Sequence, residues 1–265
     1  MMEDIVLYCK SYNKDVDRAA NLLDSITKYN EDNIPFYISV PTSDIELFKS
    51  KLGTTGYTLL SDNEIDDEYL GWHGQQVIKS QFWKLGICKN YVCLDSDSVF
   101  IRPFYKSDFL YRGDIPYTLC HEQKQLFDWS FNKLSFDPQQ SFIKNHKTVM
   151  DLFNRKGRIY DFGPTPVIWS AKVWRGLEEN YIKPNNLSFA KLIEYCGSEF
   201  TWYGEYLLAS DIIPIYPAEP LFKVYHYEQQ YVEDVERGVT LDVLSKNYLG
   251  VCLQSNWKAP LNYQK

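Results

Sequence analysis

No apolar run in the 265-residue chain is long enough to cross a bilayer, which takes about 20 consecutive apolar residues as a helix. The N-terminal stretch, MMEDIVLYCKSYNKD, has neither the basic n-region nor the apolar h-region of a secretory signal. Positive charge is scarce as well. There are 28 Lys and Arg against 35 Asp and Glu, a net charge of −7, and the pI is near 5.2. That balance argues against DNA, RNA or anionic lipid as the main partner. The six cysteines (Cys9, Cys88, Cys93, Cys120, Cys196, Cys252) show no CxxC or zinc-type spacing, and several sit in apolar runs. They read as reduced core thiols of a cytoplasmic protein. No internal repeat, low-complexity tract or linker divides the chain, so one continuous domain is expected.

Aromatic residues are abundant at 16%, with 21 Tyr. Core packing accounts for them, and so does a polar-aromatic cleft that stacks on sugars or bases. With 45% hydrophobic residues the chain has enough apolar material for a sizeable core. The first hundred residues alternate by period. Strands are predicted at Ile5–Cys9, Phe36–Val40, Tyr57–Leu60 and Tyr91–Leu94. Helices are predicted at Asp15–Tyr29, from a Ser43/Glu46 capping box to Leu52 with Gly53 as C-cap, and from about Gln75 to Leu85. An acidic loop runs from Asp62 to Glu68. Strands separated by helices predict right-handed crossovers and a mostly parallel sheet, an α/β fold.

Asp95 and Asp97, in YVCLDSDSVFIRPF, follow the fourth strand one residue apart. Two carboxylates there repel each other unless a cation lies between them. Ligands of open α/β sheets bind beyond the carboxyl ends of the strands. The segment Lys10-Ser11-Tyr12-Asn13 and the residues Gln75, Gln76 and Lys79 are placed to meet the acidic pair there. All-oxygen ligation suits Mg²⁺ or Mn²⁺ completed by substrate phosphates. Asp-Ser-Asp-Ser-Val also fits the D-x-D-x-[TV] loop of haloacid-dehalogenase-type phosphatases, with Asp95 as nucleophile. That loop normally follows the first strand, and no convincing downstream acidic pair is found. A calcium loop fails, because Phe100 and Lys106 stand where Gly and Glu are required. A solvated acidic turn is the plainest reading of the pair alone.

The run GWHGQQVIKSQFWKLGICKNYVCLDSDSVFIRPF resembles the core of GT-A-type, nucleotide-sugar-dependent glycosyltransferases. It is most similar to a bacterial group associated with surface polysaccharide synthesis, through G-W-x-x-Q-Q-x-x-K and L-D-S-D-[ST]-x-F-x-[KR]-P. Weaker similarity touches C-K-S-Y-x-x-D near the N-terminus and S-E-F-x-x-Y-G-E-Y later, so it reaches about residue 230. The resemblance implies a single GT-A domain, with a nucleotide-sugar half at 1–104 and an acceptor half at 105–265. It also implies Mn²⁺ or Mg²⁺, a nucleoside-diphosphate sugar donor, and a glycan or glycolipid acceptor that would draw the protein to a membrane periphery. By the same resemblance Asp97 binds the metal, Asp95 touches ribose or metal-bound water, and His226 completes the shell. Lys10, Ser11 and Tyr12 would meet the nucleoside, and Gln75, Gln76 and Lys79 the sugar and phosphate.

In the second half, Tyr160–Pro166 reads as a Pro-stiffened loop entering a strand at Val167–Trp169. Ser198 is placed to cap a helix, SEFTWYGEYLLAS. Glu199 shares a face with Trp202, Tyr203 and Tyr206 and is the predicted general base of an inverting transfer, with Glu205 second. An acid in a first helical turn also complements the helix dipole without any catalysis. Two further functions stay open: the phosphatase, and a non-catalytic sugar- or nucleotide-binding module.

Overall fold

The computed structural model describes residues 2–66 and 72–254, with the side chain of Trp72 left aside. Part of the expected acidic loop and Gly71 of the G-W motif therefore lie outside the described residues. The chain opens with β1 (Glu3–Lys10), α1 (Val16–Tyr29), β2 (Phe36–Val40), α2 (Ile45–Leu52), β3 (Thr58–Ser61) and α3 (Trp72–Gln81). There follow β4 (Cys88–Asp95), β5 (Ser98–Phe100), β6 (Leu110–Tyr111), β7 (Ile115–Leu119), α4 (Lys124–Lys133) and α5 (Pro138–Leu152). The remainder is β8 (Val167–Ser170), α6 (Ala171–Leu177), α7 (Phe189–Tyr195), α8 (Glu199–Ser210), β9 (Tyr216–Ala218), β10 (Phe222–Tyr225), α9 (Glu228–Glu236), α10 (Leu241–Ser245) and β11 (Gly250–Leu253).

The main sheet has the order β3-β2-β1-β4-β8, parallel except for β8, which runs antiparallel to β4. Its central strands are apolar on both faces because each face is covered. In β1, Ile5, Leu7 and Cys9 enter one core while Val6 and Tyr8 enter the other. β4 repeats the division, with Val92 and Leu94 on the first face and Tyr91 and Cys93 on the second. Helix α1 supplies Ala19, Leu22, Leu23 and Ile26 to the first core at the expected helical spacing. The second core is aromatic, with Trp169, Trp174, Trp202 and Tyr203 around the end of β8. This is the mixed α/β architecture expected, with a central mostly parallel sheet flanked by helices.

The two sequence halves are interleaved. β8 completes the main sheet, and β11 joins β5 to β10 in a small second sheet. A third sheet, β6-β7-β9, also joins middle and late segments.

Several predicted boundaries shift. The expected Ser43/Glu46 capping box does not form: a short 3-10 turn over Thr42–Asp44 leads into α2, with no side-chain cap. The carboxylate of Asp44 instead accepts from the Asn13 backbone N–H at 2.8 Å, tying α2 to the loop after β1. A capping box forms at Ser61 and Glu64. Helix α3 begins at Trp72 rather than Gln75 and tightens into a 3-10 turn at Phe82–Leu85 before Gly86, whose φ of 67° takes the left-handed cap.

Candidate active site at the sheet switch point

From β1 the chain builds outward one way through β2 and β3, while β4 lies on the other side. The crevice where that direction reverses is the standard ligand position of an open α/β sheet. The register puts Lys10 directly opposite Asp95 at its mouth. Lys10 Nζ reaches Asp62 at 2.9 Å and the Ser11 carbonyl at 2.5 Å. Burial raises the pKa of Asp62 against the pull of Lys10. Among the described residues, the Ser11 hydroxyl and Asp62 Oδ1 are buried without a hydrogen-bond partner. Buried orphan polar atoms are uncommon and call for a ligand or water. Tyr12 is half-buried in the same loop.

The cation beside Asp95 is a side chain. Lys79 Nζ lies 2.6 Å from Asp95 Oδ1, and the Thr165 hydroxyl donates to Oδ2 at 2.7 Å. Burial opposes the charge on Asp95, but Lys79 and Thr165 outweigh it and hold the carboxyl below its usual range. Lys79 is only 5% exposed and also faces Glu199 at 3.6 Å. Burial works against its charge as well, and the two carboxylates keep it protonated. The Gln76 amide nitrogen faces both oxygens of Glu199. Gln76 and Lys79, at i and i+3 on α3, therefore converge on one buried carboxylate. Of the three α3 residues expected to meet sugar and phosphate, Gln76 and Lys79 are thus turned to the buried Glu199 and Gln75 is half-buried.

Glu199 begins α8 as expected, and the Ser198 hydroxyl accepts from the Thr201 backbone N–H. Its side chain is 1% exposed, and burial pushes its pKa up to about 7 against the pull of Lys79. Trp202, Tyr203 and Tyr206, which share its face of the helix, are buried in the aromatic core. Glu205 is fully buried and takes a two-pronged ion pair from Arg155. Removing one partner of such a pair leaves an uncompensated buried charge, which costs about 3–5 kcal/mol. Glu205→Gln is accordingly expected to lose stability on that scale in chemical denaturation. A loss under 1 kcal/mol would contradict the structural role.

Asp97 follows the tight turn after β4. It is 6% exposed, accepts from the Cys252 thiol at 3.2 Å, and its backbone carbonyl holds the Leu253 N–H at 3.1 Å. Burial raises the Cys252 pKa, so it remains a protonated donor. His226 follows β10, which is separated from β5 by β11. Burial lowers its pKa against the pull of Asp161, and its charged neighbours are Asp161, His121 and Lys223. The structure thus gathers Lys10, Ser11, Lys79, Asp95 and Glu199 and sets Asp97 beside β11, but does not bring His226 to the acidic pair. Among the described residues, no group of three or more His, Cys, Asp or Glu is arranged to hold a metal ion.

The loop from Tyr160 to Pro166 enters β8 as expected and contains two cis peptide bonds, Gly163–Pro164 and Thr165–Pro166. Its Phe162 ring lies where a Cβ on Gly204 would be, which is why α8 carries glycine there. His121 Nε2 meets the Gly163 carbonyl at 2.6 Å, and the Gly163 N–H donates to Asp161 at 3.0 Å. Pro164 lines a cavity of about 770 Å³ that lies between α4 and α9, also walled by His121, Trp129, Lys223 and His226. Asp62, Thr165, Cys252, His121 and the cavity itself were not singled out from sequence. Only Asp62 (acidic loop) and Thr165 (between two prolines) lay in segments already marked.

With crevice, acidic pair and sheet order in place, the fold is that of a GT-A-like α/β domain. It is similar to mouse xyloside xylosyltransferase 1 in its apo form, with a TM-score of 0.51, 9% identity, and coverage of 97% of this chain and 99% of that one. The chain belongs to DUF6492, a family of unknown function whose model matches residues 4–249. No curated protein matches it.

Proposed function

We propose that the protein is a glycosyltransferase that moves a sugar from a nucleoside-diphosphate donor to a hydroxyl acceptor, assisted by Mn²⁺ or Mg²⁺, in glycan assembly. The observation that carries this reading is the Lys10–Asp95 register at the switch point, with Asp97 just beyond it and the buried Ser11 hydroxyl unpartnered. The donor set fits a hard cation. Such ions are commonly held by one or two carboxylates plus substrate phosphates, so a third protein ligand is not required. Asp95 has lone pairs left after bonding Lys79 and Thr165, and Asp97 would be the second ligand. The ion would neutralise charge developing on the departing diphosphate.

In this assignment Ser11 and Tyr12 meet the nucleoside, Lys10 and Asp62 border it, and Gln75 is half-buried on α3. Lys79, Gln76 and Glu199 act behind Asp95 as positioning residues that fix its charge and rotamer. With Glu199 and Glu205 both buried, neither is assigned as the base, and inversion loses the residue it was expected to use. The phosphatase alternative is disfavoured by position: the acidic pair follows β4, whereas the D-x-D loop of that family follows the first strand.

A thermal-shift panel of UDP-, GDP-, TDP- and CMP-sugars, with and without Mn²⁺, tests the reading. A true donor raises Tm by mass action, and more so with metal. No shift with any nucleotide sugar, or phosphorylation of Asp95 by a phosphate ester, would remove it. Binding without turnover would leave the non-catalytic module.

A further inference from the structure

The 770 Å³ cavity lies in the second half of the chain, away from the buried aromatics of α8. Its size is in the ligand range of about 300–1,000 Å³. It adjoins the donor crevice through two consecutive loop residues: Pro164 lines the cavity, and Thr165 bonds Asp95. A molecule in the cavity would therefore sit next to the group that anchors the proposed metal.

The charges on its wall are self-compensating. Lys124 pairs with Glu122 at 2.7 Å, Arg237 pairs with Asp234, and Lys223 reaches the same Asp234 at 3.6 Å. Three cations (Lys124, Lys223, Arg237) face four carboxylates (Glu122, Glu219, Glu233, Asp234), so the wall carries no surplus positive charge for a phosphate or carboxylate ligand. It presents hydrogen-bond acceptors and donors in mixture, which suits a polyhydroxyl compound. His226 makes no hydrogen bond to another described residue, and burial keeps it neutral, so it can both donate and accept.

One side of the cavity is aromatic and rigid. The Trp129 indole N–H donates to Glu233 at 2.9 Å, and its ring stacks on Tyr227 with centroids 5.4 Å apart. Tyr227 in turn meets Phe136 edge-on at 6.4 Å, and Phe136 is 57% exposed. An aromatic row thus leads from the cavity wall to the surface. Sugar rings pack their C–H faces on such rings while their hydroxyls bond the polar wall.

We propose that this cavity is the acceptor site and that it takes an uncharged oligosaccharide, with Trp129 as platform and the row through Tyr227 to Phe136 extending it. The inference rests on the glycosyl-transfer reading and selects a neutral glycan over an anionic or lipid-phosphate acceptor.

The test is saturation-transfer NMR on the full chain without nucleotide or metal. The probes are maltotriose, cellotriose and a chitin trimer, with 3′-sialyllactose and inorganic phosphate as anionic counterparts. At least one neutral trisaccharide should bind saturably, about tenfold or more weaker in Trp129→Ala. The Trp129→Phe protein, which keeps a ring, should recover part of it. Failure of all neutral probes, preference for the anionic ones, or indifference to Trp129→Ala with a Trp129→Phe control of native Tm would overturn the proposal. If nucleotide sugars still shift Tm with Mn²⁺ while the trisaccharides fail, only the acceptor inference falls. The reverse pattern removes the transferase and leaves a saccharide site.

Discussion

Asp97→Ala is expected to abolish Mn²⁺-dependent nucleotide-sugar binding while leaving the protein folded. Replacing groups that merely support a metal ligand costs about 10–100-fold in metal affinity or activity. Losing a direct carboxylate ligand should therefore weaken the metal-dependent part of donor binding by more than about 100-fold. The fold has little to lose at this position. The side chain accepts from a thiol, a weak donor, while the link to β11 runs through the Asp97 backbone carbonyl, which alanine keeps. Charge repulsion between Asp95 and Asp97 is also relieved. Isothermal titration with and without Mn²⁺ separates the two components of affinity. The assignment fails if the metal-dependent gain in affinity survives in a folded Asp97→Ala protein.

The strands that position Asp97 were legible because their signal is local. Ile5–Cys9 and Tyr91–Leu94 are short apolar runs flanked by polar residues, and both lengthen to eight-residue strands that end at Lys10 and Asp95. The last residues of those runs were thus correctly placed at the carboxyl edge, where ligands bind. The small β10-β11-β5 sheet was not legible. β5 is three residues long, and its partner Cys252 lies 155 positions from Asp97, so no periodicity announces the pairing.

The burial of the acidic residues of α8 was not legible for a related reason. An acid in a first helical turn is ordinarily solvated, and nothing local announces that Lys79 and Gln76 reach Glu199 from α3, more than a hundred residues earlier. Glu205 faces Arg155, fifty residues away in the chain. Burial of a carboxylate is decided by where its cation comes from, and a single sequence without long-range contacts does not carry that information. The aromatic spacing of Trp202 and Tyr206 was read correctly as one face. That face turned inward, toward Phe153 and the rest of the core.

Lys79→Met should be the most destabilising single change at this site, and its cost should grow with pH. Among the described residues Lys79 is the ammonium placed between the half-buried Asp95 and the buried Glu199, and removing the partner of a buried carboxylate costs about 3–5 kcal/mol. In the parent protein Glu199 ionises near pH 7, against a usual 4.5. The folded state therefore binds the extra proton between those values. That contribution to stability is fully present below about pH 4.5 and is lost as pH rises through 7. Without Lys79 the Glu199 carboxyl has less reason to ionise, so its pKa rises further and the loss moves to higher pH. Asp95 behaves oppositely. Its lowered pKa contributes stability above the usual carboxylate range, and that contribution disappears with the lysine at every pH near neutrality. Urea denaturation at pH 6 and pH 8.5 should show Lys79→Met losing more at the higher pH. Adding Glu199→Gln should restore stability preferentially at pH 8.5, because it removes the carboxylate that no longer has a counter-charge. Equal losses at both pH values, or no recovery in the double variant, would mean that Glu199 is not held by Lys79, and the relay behind Asp95 would have to be abandoned.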